Sequence, residues 1–71
     1  MKILLQNKRT LNYLEGTARW TPDHSKARVF GTGLEAILFC LKHHIANTQI
    51  LGEFNDERMN FTVSVTDRRA D

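Results

Sequence analysis

The chain contains 71 residues, of which 41% are hydrophobic and 25% are charged, and its formal net charge is +2. This composition is that of an ordinary folded domain and excludes low-complexity, collagen-like and disordered chains. The longest apolar run, residues 36–41, is far shorter than the roughly 20 residues of a membrane-spanning helix. We therefore expect no membrane segment, one folded domain over residues 1–66, and a frayed tail over residues 67–71.

Cysteine content and size limit how such a chain can be stabilised. Cys40 is the only cysteine, which excludes an internal disulfide and a multi-cysteine zinc site. A domain of this size buries only about 60% of its unfolded surface, so a partner subunit is the remaining stabilising device and we expect a homodimer. A signal peptide would continue as an apolar stretch after Ile3–Leu5, but residues 6–9 are polar. A single unpaired cysteine also fits a reducing compartment, so we expect a cytoplasmic protein.

The N-terminal half is predicted to begin with a β-hairpin. Lys2–Gln6 is a short aliphatic strand, and Tyr13–Trp20 is a second extended run. Gly16 within that run indicates a turn or bulge, because glycine weakens a strand interior. Pro22 ends the hairpin because proline cannot donate to a strand ladder, and residues 24–27 can form one helical turn after it.

The best-specified element is a helix from about Leu34 to Ile45. Thr32 and Glu35 match a capping box, in which the threonine hydroxyl accepts a hydrogen bond from the Glu35 backbone N–H. The Glu35 carboxylate also lies near the positive end of the helix dipole, where a negative charge is favourable. Asn47 is the expected stop of the helix.

The helix has two apolar faces, because successive residues are rotated by about 100°. The larger side chains fall within one stripe, which is expected to pack on the sheet: Leu34, Ile37, Leu38, Leu41 and Ile45. The other face is a candidate interaction surface and consists of Ala36, Phe39, Cys40 and His43. Two interpretations of it remain open. Either this face binds a second subunit or another partner, or the segment Thr21–Phe30 folds over it so that Trp20 or Phe30 covers Phe39.

Two further strands follow the helix, Gln49–Phe54 and Met59–Val65, joined by a loop over residues 55–58. The second strand alternates between two faces, the apolar one being Met59, Phe61, Val63 and Val65. Such alternation is typical of an antiparallel strand with one buried face. The sequence therefore predicts an α+β fold of order ββαββ, an antiparallel sheet with one helix packed on one face.

The charge is distributed unevenly. Residues 1–28 carry six basic and two acidic side chains, whereas residues 29–71 carry four basic and six acidic ones. This difference fits an ordinary solvated surface, two complementary halves that meet across a dimer, or a basic face for an anionic partner. Nucleic-acid binding through phosphate contacts and base stacking is thus an alternative function, with the candidate residues Lys8, Arg9, Arg19, Trp20, Lys26 and Arg28.

Catalytic and metal sites find little support in the sequence. Cys40 and His44 share a helix face, but a stable metal site needs three or four convergent ligands and only His24 is left to join them as a neutral nitrogen donor. Residues 31–33 precede the helix but lack the rest of any phosphate-binding glycine motif. No set of acid, base and nucleophile can be assigned, so we expect no enzymatic activity, no metal and no cofactor.

Four short motifs stand in the first half of the chain: Tyr13-Leu14, Arg19-Trp20-Thr21-Pro22-Asp23, Ala27-Arg28-Val29-Phe30 and Leu34-Glu35-Ala36. Over residues 13–36 the chain resembles small uncharacterised bacterial proteins that share a W-T-x-D, A-x-x-F and E-A pattern. The resemblance implies a compact α+β accessory protein, of a kind sometimes carried on mobile elements, and transfers no biochemical role. It also implies structural roles for Trp20 and Phe30 in the core, for Asp23 as a turn cap and for Glu35 in the helix cap.

The function expected from these observations is that of a small interaction module. We expect a homodimeric, non-enzymatic accessory protein that binds through the second helix face. The alternative is a weak nucleic-acid-binding protein that uses the basic N-terminal half.

Overall fold

The computed structural model describes residues 1–65, which form a five-stranded antiparallel sheet with one α-helix on one face. The strands are β1 (Lys2–Asn7), β2 (Tyr13–Glu15), β3 (Arg19–Thr21), β4 (Thr48–Glu53) and β5 (Phe61–Val65), and the helix is α1 (Gly33–His43). Their order across the sheet is β3-β2-β1-β4-β5. The predicted α+β class and the single antiparallel sheet with one helix are confirmed.

The strand count differs from the prediction because Gly16 divides the second extended run. It has a φ of 70°, a left-handed conformation that glycine adopts without steric cost. Residues 13–15 and 19–21 therefore become separate strands, with Leu14 opposite Trp20. The sheet consequently has three strands before the helix rather than two.

The centre of the sheet is the ladder between β1 and β4, which extends from Lys2 opposite Glu53 to Asn7 opposite Thr48. Side chains directly opposite each other in an antiparallel pair project from the same face. Ile3, Leu5 and Ile50 belong to the buried cluster under the helix. The hydrophobic core therefore lies between the middle of the sheet and α1.

A capped turn brings Phe30 onto this core. The 3₁₀ turn His24–Lys26 begins after Asp23, whose carboxylate accepts hydrogen bonds from the backbone and side chain of Ser25. Phe30 then forms an isolated bridge with Ile3, its backbone N–H donating to the Ile3 carbonyl at 2.8 Å. The predicted helical turn and the Asp23 cap are confirmed, and Phe30 is buried.

The helix begins as the capping box predicts. The Thr32 hydroxyl accepts a hydrogen bond from the Glu35 N–H at 3.1 Å, and the Glu35 carboxylate accepts one from the Gly31 N–H at the same distance. The C-terminal end comes earlier than expected, because His44 adopts the left-handed conformation (φ 53°, ψ 45°) that ends the helix. Asn47 also has a positive φ but belongs to the turn before β4. Within residues 1–65, no helix is long and apolar enough to cross a membrane.

The strand β5 lies at one edge of the sheet and starts two residues later than predicted, because Met59 belongs to a 3₁₀ turn over Glu57–Met59. Val63 lies opposite Ile50, so the apolar side chains of β5 project from the face that carries α1. We expected this face to be buried, yet Phe61 and Val63 are exposed and only Val65 packs against the core.

Candidate interaction surface

The structure rotates α1 relative to its predicted orientation. Ala36 and Cys40 are buried against the sheet, and Phe39 packs beside them. We expected the stripe of larger side chains to face the sheet. This prediction is wrong for four of them, which are exposed: Leu34, Ile37, Leu38 and Leu41. Ile45 does pack against the core. Small side chains at positions 36 and 40 allow the helix to approach the sheet closely, which accounts for the choice of face.

The candidate surface of Ala36, Phe39, Cys40 and His43 is therefore corrected. Ala36 and Cys40 lie in the core and Phe39 is half-buried, so they cannot form a free binding face; only His43 is exposed. The alternative interpretation, in which Phe30 covers Phe39, agrees with the structure.

Three side chains enclose Phe39 on the side of the helix that faces away from β5. Its ring meets that of Phe30 edge-on, with 5.3 Å between centroids. The Arg28 guanidinium lies 4.6 Å above the centre of the Phe39 ring, a favourable cation–π distance. The ring of His43 lies against the Phe39 ring at a tilt of 38°, with 4.3 Å between centroids. This flank of the helix is therefore covered by the chain itself.

The opposite surface of the helix is apolar and uncovered. Leu38 lies about 180° around the helix from the midpoint between Ala36 and Cys40, so it points away from the sheet. It belongs to a group of exposed apolar side chains on α1 and the neighbouring part of the sheet, which we call the apolar face: Leu34, Ile37, Leu38, Leu41, Phe61 and Val63. Each of these is between 36% and 64% exposed, and none is charged.

The apolar face is comparable in area with the largest apolar patch of a typical monomer. From these exposed fractions, its six side chains present roughly 500 Å² of surface, within the range of about 300–600 Å² for the largest apolar patch of a monomer. A homodimer interface of standard size buries about 800 Å² on each subunit, of which about 65% is apolar. The apolar face therefore supplies about as much apolar surface as one side of such an interface.

A groove of about 300 Å³ continues the apolar face at the C-terminal end of α1. Its walls come from the end of the helix, the turn after it and the end of β5, and are formed by Lys8, Cys40, Leu41, His44, Ile45, Ala46, Asn47 and Val65. The groove separates the helix from β5. On the side of the sheet that carries the helix, the side chains of β4 are buried, whereas Phe61 and Val63 of β5 remain open.

The Cys40 thiol is buried in the core, whereas the His24 imidazole lies against Glu53 and Tyr13. Burial raises the pKa of the Cys40 thiol, which disfavours the thiolate that a nucleophile or metal ligand requires. The Nε2 atom of His24 lies 2.7 Å from both carboxylate oxygens of Glu53, and the His24 ring meets Tyr13 edge-on. Among residues 1–65, no three His, Cys, Asp or Glu side chains are placed to hold a metal ion.

The glycines before α1 do not leave a free anion site. The Gly31 N–H, which an incoming anion would need, already donates to the Glu35 carboxylate. That carboxylate also lies within 3.1 Å of where a Gly31 Cβ would be. The negative charge of Glu35 thus occupies the position that a phosphate would take.

The basic candidate residues lie in different structural settings. Trp20 packs against the core, and Arg28 lies over the rings of Phe30 and Phe39. Lys8 follows the end of β1 and donates to the Ser64 hydroxyl at 3.4 Å. Arg19 lies opposite Glu15 in the β2–β3 ladder. The remaining two, Arg9 and Lys26, are exposed in separate turns.

The sequence contains one signal for the apolar face that we did not follow. A helix with apolar residues on both of its sides is typical of one that is buried on both sides, and α1 has this pattern. The sequence does not reveal that Phe61 and Val63 belong to the apolar face. Apolar and polar residues alternate along β5 in the same way whether its apolar side is buried or exposed.

Comparison of the chain with models of protein families, with curated proteins and with solved structures finds no match. The resemblance to small bacterial accessory proteins therefore stays a prediction.

Proposed function

We propose that this protein is a non-catalytic interaction module that associates through the apolar face, and that a homodimer is its working form. The single observation that carries the proposal is the exposed helix stripe. Leu34, Leu38 and Leu41 are each more than half exposed, although they are the largest aliphatic side chains of α1 along with Ile37. Because each is between 52% and 64% exposed, leaving them in water forgoes roughly half of the 1.5–3 kcal/mol that full burial of such a side chain contributes.

Two features of the surroundings support the proposal. The other apolar side chains of the helix are covered, because Ala36 and Cys40 face the sheet and Phe39 lies under Phe30 and Arg28. The apolar face contains no charged side chain whose desolvation would oppose association. A second protein surface can therefore cover it without leaving an unpaired charge.

Sedimentation analysis of the full chain tests the proposal. We expect association at micromolar concentrations, and we expect Leu38→Glu to weaken it by at least about 30-fold, because a charge then replaces a central apolar contact. Leu11→Glu is the matched control, since Leu11 is 58% exposed and lies outside the apolar face. A wild-type chain that stays monomeric, or a Leu38→Glu variant that associates like the wild type, contradicts the proposal.

Nucleic-acid binding by the basic N-terminal half is the weaker proposal. Trp20 is committed to the core and Arg28 to the rings below it, so two of the six candidate residues have structural roles. Retention on a nucleic-acid column that falls steeply with added salt would support this function, because phosphate contacts release counterions.

A further inference from the structure

We infer that the occupant of the apolar face is a second copy of this chain, packed so that α1 of each copy lies over β5 of the other. This inference rests on the proposed function and adds the geometry of the complex. It follows from how much of the sheet is covered, from the two-sided character of α1 and from the self-complementarity of the surface.

The first step concerns the area of the sheet. Five strands at about 4.8 Å spacing span about 20 Å, whereas one helix covers about 10 Å. The helix α1 packs on β1 and β4, and the segment that ends at Phe30 covers the side toward β2. The strand β5 remains, and its side chains Phe61 and Val63 are 42% and 51% exposed. One more helix along β5 is what this edge of the sheet lacks.

The second step concerns the helix. Its inner side is satisfied by its own sheet through Ala36 and Cys40. Its outer side presents Leu34 and Leu38, which point away from that sheet and have the size and chemistry of residues that pack on another one. The helix α1 therefore has the character of an element that lies between two sheets.

The third step identifies the partner. A twofold interface requires that one surface contain both complementary parts, because each patch meets its counterpart on the other subunit. Here the exposed outer side of α1 and the exposed face of β5 stand side by side on one chain. When the outer side of α1 of one copy packs on β5 of the other, the same contact forms twice, and Ile37 and Leu41 of the two helices face each other.

The amount of surface agrees with this arrangement. The apolar face of roughly 500 Å² matches the apolar part of one side of a standard homodimer interface. The charged residues Glu35 and Lys42 fall on the flank of the helix away from Ile37 and Leu41, so they come to the rim of the interface.

Disulfide trapping tests the geometry. In a Cys40→Ala background, chains with Leu38→Cys are mixed with chains that carry Val63→Cys and are then oxidised. Reciprocal packing predicts a disulfide between position 38 of one chain and position 63 of the other, in several-fold excess over links between identical chains. Val29→Cys in place of Val63→Cys is the matched control, since Val29 is 56% exposed and lies outside the apolar face, and it should give no link.

The other outcomes each overturn the geometry. Links between two Leu38→Cys chains would show that the helices pack directly on each other. Links between two Val63→Cys chains would show that the β5 edges pair. If either link forms and the Leu38→Glu variant still fails to associate, the proposed function stands and only the reciprocal packing is wrong. If the wild-type chain is monomeric, both the proposed function and the reciprocal packing are wrong.

A charge pair gives an independent check. In the reciprocal homodimer, position 38 of each chain contacts position 63 of the other, so this contact occurs twice. Leu38→Lys and Val63→Glu each place a charge against an apolar side chain at both contacts, so each variant alone should be monomeric. A mixture of the two variants should associate, because one contact then joins the new lysine to the new glutamate and the second contact still joins Leu38 to Val63. Failure of the mixture to associate, with both variants folded, overturns the reciprocal packing.

Discussion

The ring of Phe61 lies directly on the backbone of Gly52. A Cβ atom placed on Gly52 would come within 2.5 Å of the Phe61 Cζ and 2.6 Å of its Cε2. The two residues face each other across the β4–β5 ladder, so the missing side chain on one strand makes room for the large one on the other. The absence of a side chain at position 52 therefore sets where the ring sits in the apolar face.

Gly52→Ala should displace the Phe61 ring. Because Phe61 is 42% exposed, its ring can swing out toward the solvent, and we expect a loss of only about 1 kcal/mol in the free energy of unfolding. Gly33→Ala is the control, since a Cβ there meets no atom within 4 Å, and it should be neutral or stabilising. Urea denaturation measures both; equal stability of Gly52→Ala and the wild type would contradict the close approach.

Phe39→Ala should destabilise the folded chain itself, because Phe39 is packed between Phe30 and Arg28. We expect a loss of about 2 kcal/mol, below the range of about 3–5 kcal/mol for a fully buried phenylalanine. Leu38→Ala, on the outer side of the helix, should change the stability of the monomer much less. If the order is reversed in thermal or urea unfolding at low protein concentration, the orientation of α1 described above is wrong.

The carboxyl group of Asp23 should titrate below its ordinary value. Hydrogen bonds from the side chain and then from the backbone of Ser25 lower the pKa of Asp23 from 3.8. Because this pKa is lower in the folded chain than in the unfolded chain, the Asp23 carboxylate stabilises the fold at every pH above the unfolded pKa. This stabilisation is lost as the pH falls through the folded pKa. Acidification below about pH 4 should therefore weaken the turn that begins at Asp23.

The Ser25→Ala variant separates the two causes of this shift. It removes the side-chain hydrogen bond and keeps the backbone one, so the pKa of Asp23 should move back part of the way toward 3.8. An NMR titration of the carboxyl carbon reports this value directly. An unchanged pKa in Ser25→Ala would contradict the hydrogen bond between the two side chains.

The thiol of Cys40 should react slowly with alkylating reagents. It is 2% exposed and its pKa is raised by burial, so both access and thiolate formation are disfavoured. We expect labelling at a rate set by opening of the structure and a large acceleration in denaturant. A Val29→Cys, Cys40→Ala chain serves as the exposed control. Comparable labelling rates in the two native proteins would show that Cys40 does not face the sheet.

The parts of the fold that were predicted correctly depend on local chemistry. Thr32 and Glu35 cap the helix through a side-chain contact within one turn, and Asp23 caps a turn two residues away. Gly16 was identified as a turn or bulge for a similar reason, although the separation of β2 from β3 was missed. These signals act over a few residues, which is why sequence alone reveals them.

The orientation of α1 was predicted wrongly for a reason that is not local. Periodicity shows where apolar side chains lie around a helix but does not show which of two apolar faces meets the sheet. We assigned the sheet to the face with the larger residues, whereas the sheet takes Ala36 and Cys40, whose small side chains permit a close approach. The cover over Phe39 depends on the bridge between Phe30 and Ile3, a tertiary contact that no sequence pattern specifies.

The position of β1 in the middle of the sheet has a consequence for how the chain folds. One neighbour of β1 in the sheet is β2, which follows it directly in the sequence. The other neighbour is β4, so Lys2 pairs with Glu53, and β2, β3 and the helix all lie between them in the sequence. Closing so long a loop costs entropy before the ladder returns any free energy, so chains with such distant pairings fold more slowly than chains rich in local contacts. A nascent chain therefore has to wait for residues 48–53 before its central strand is enclosed on both sides.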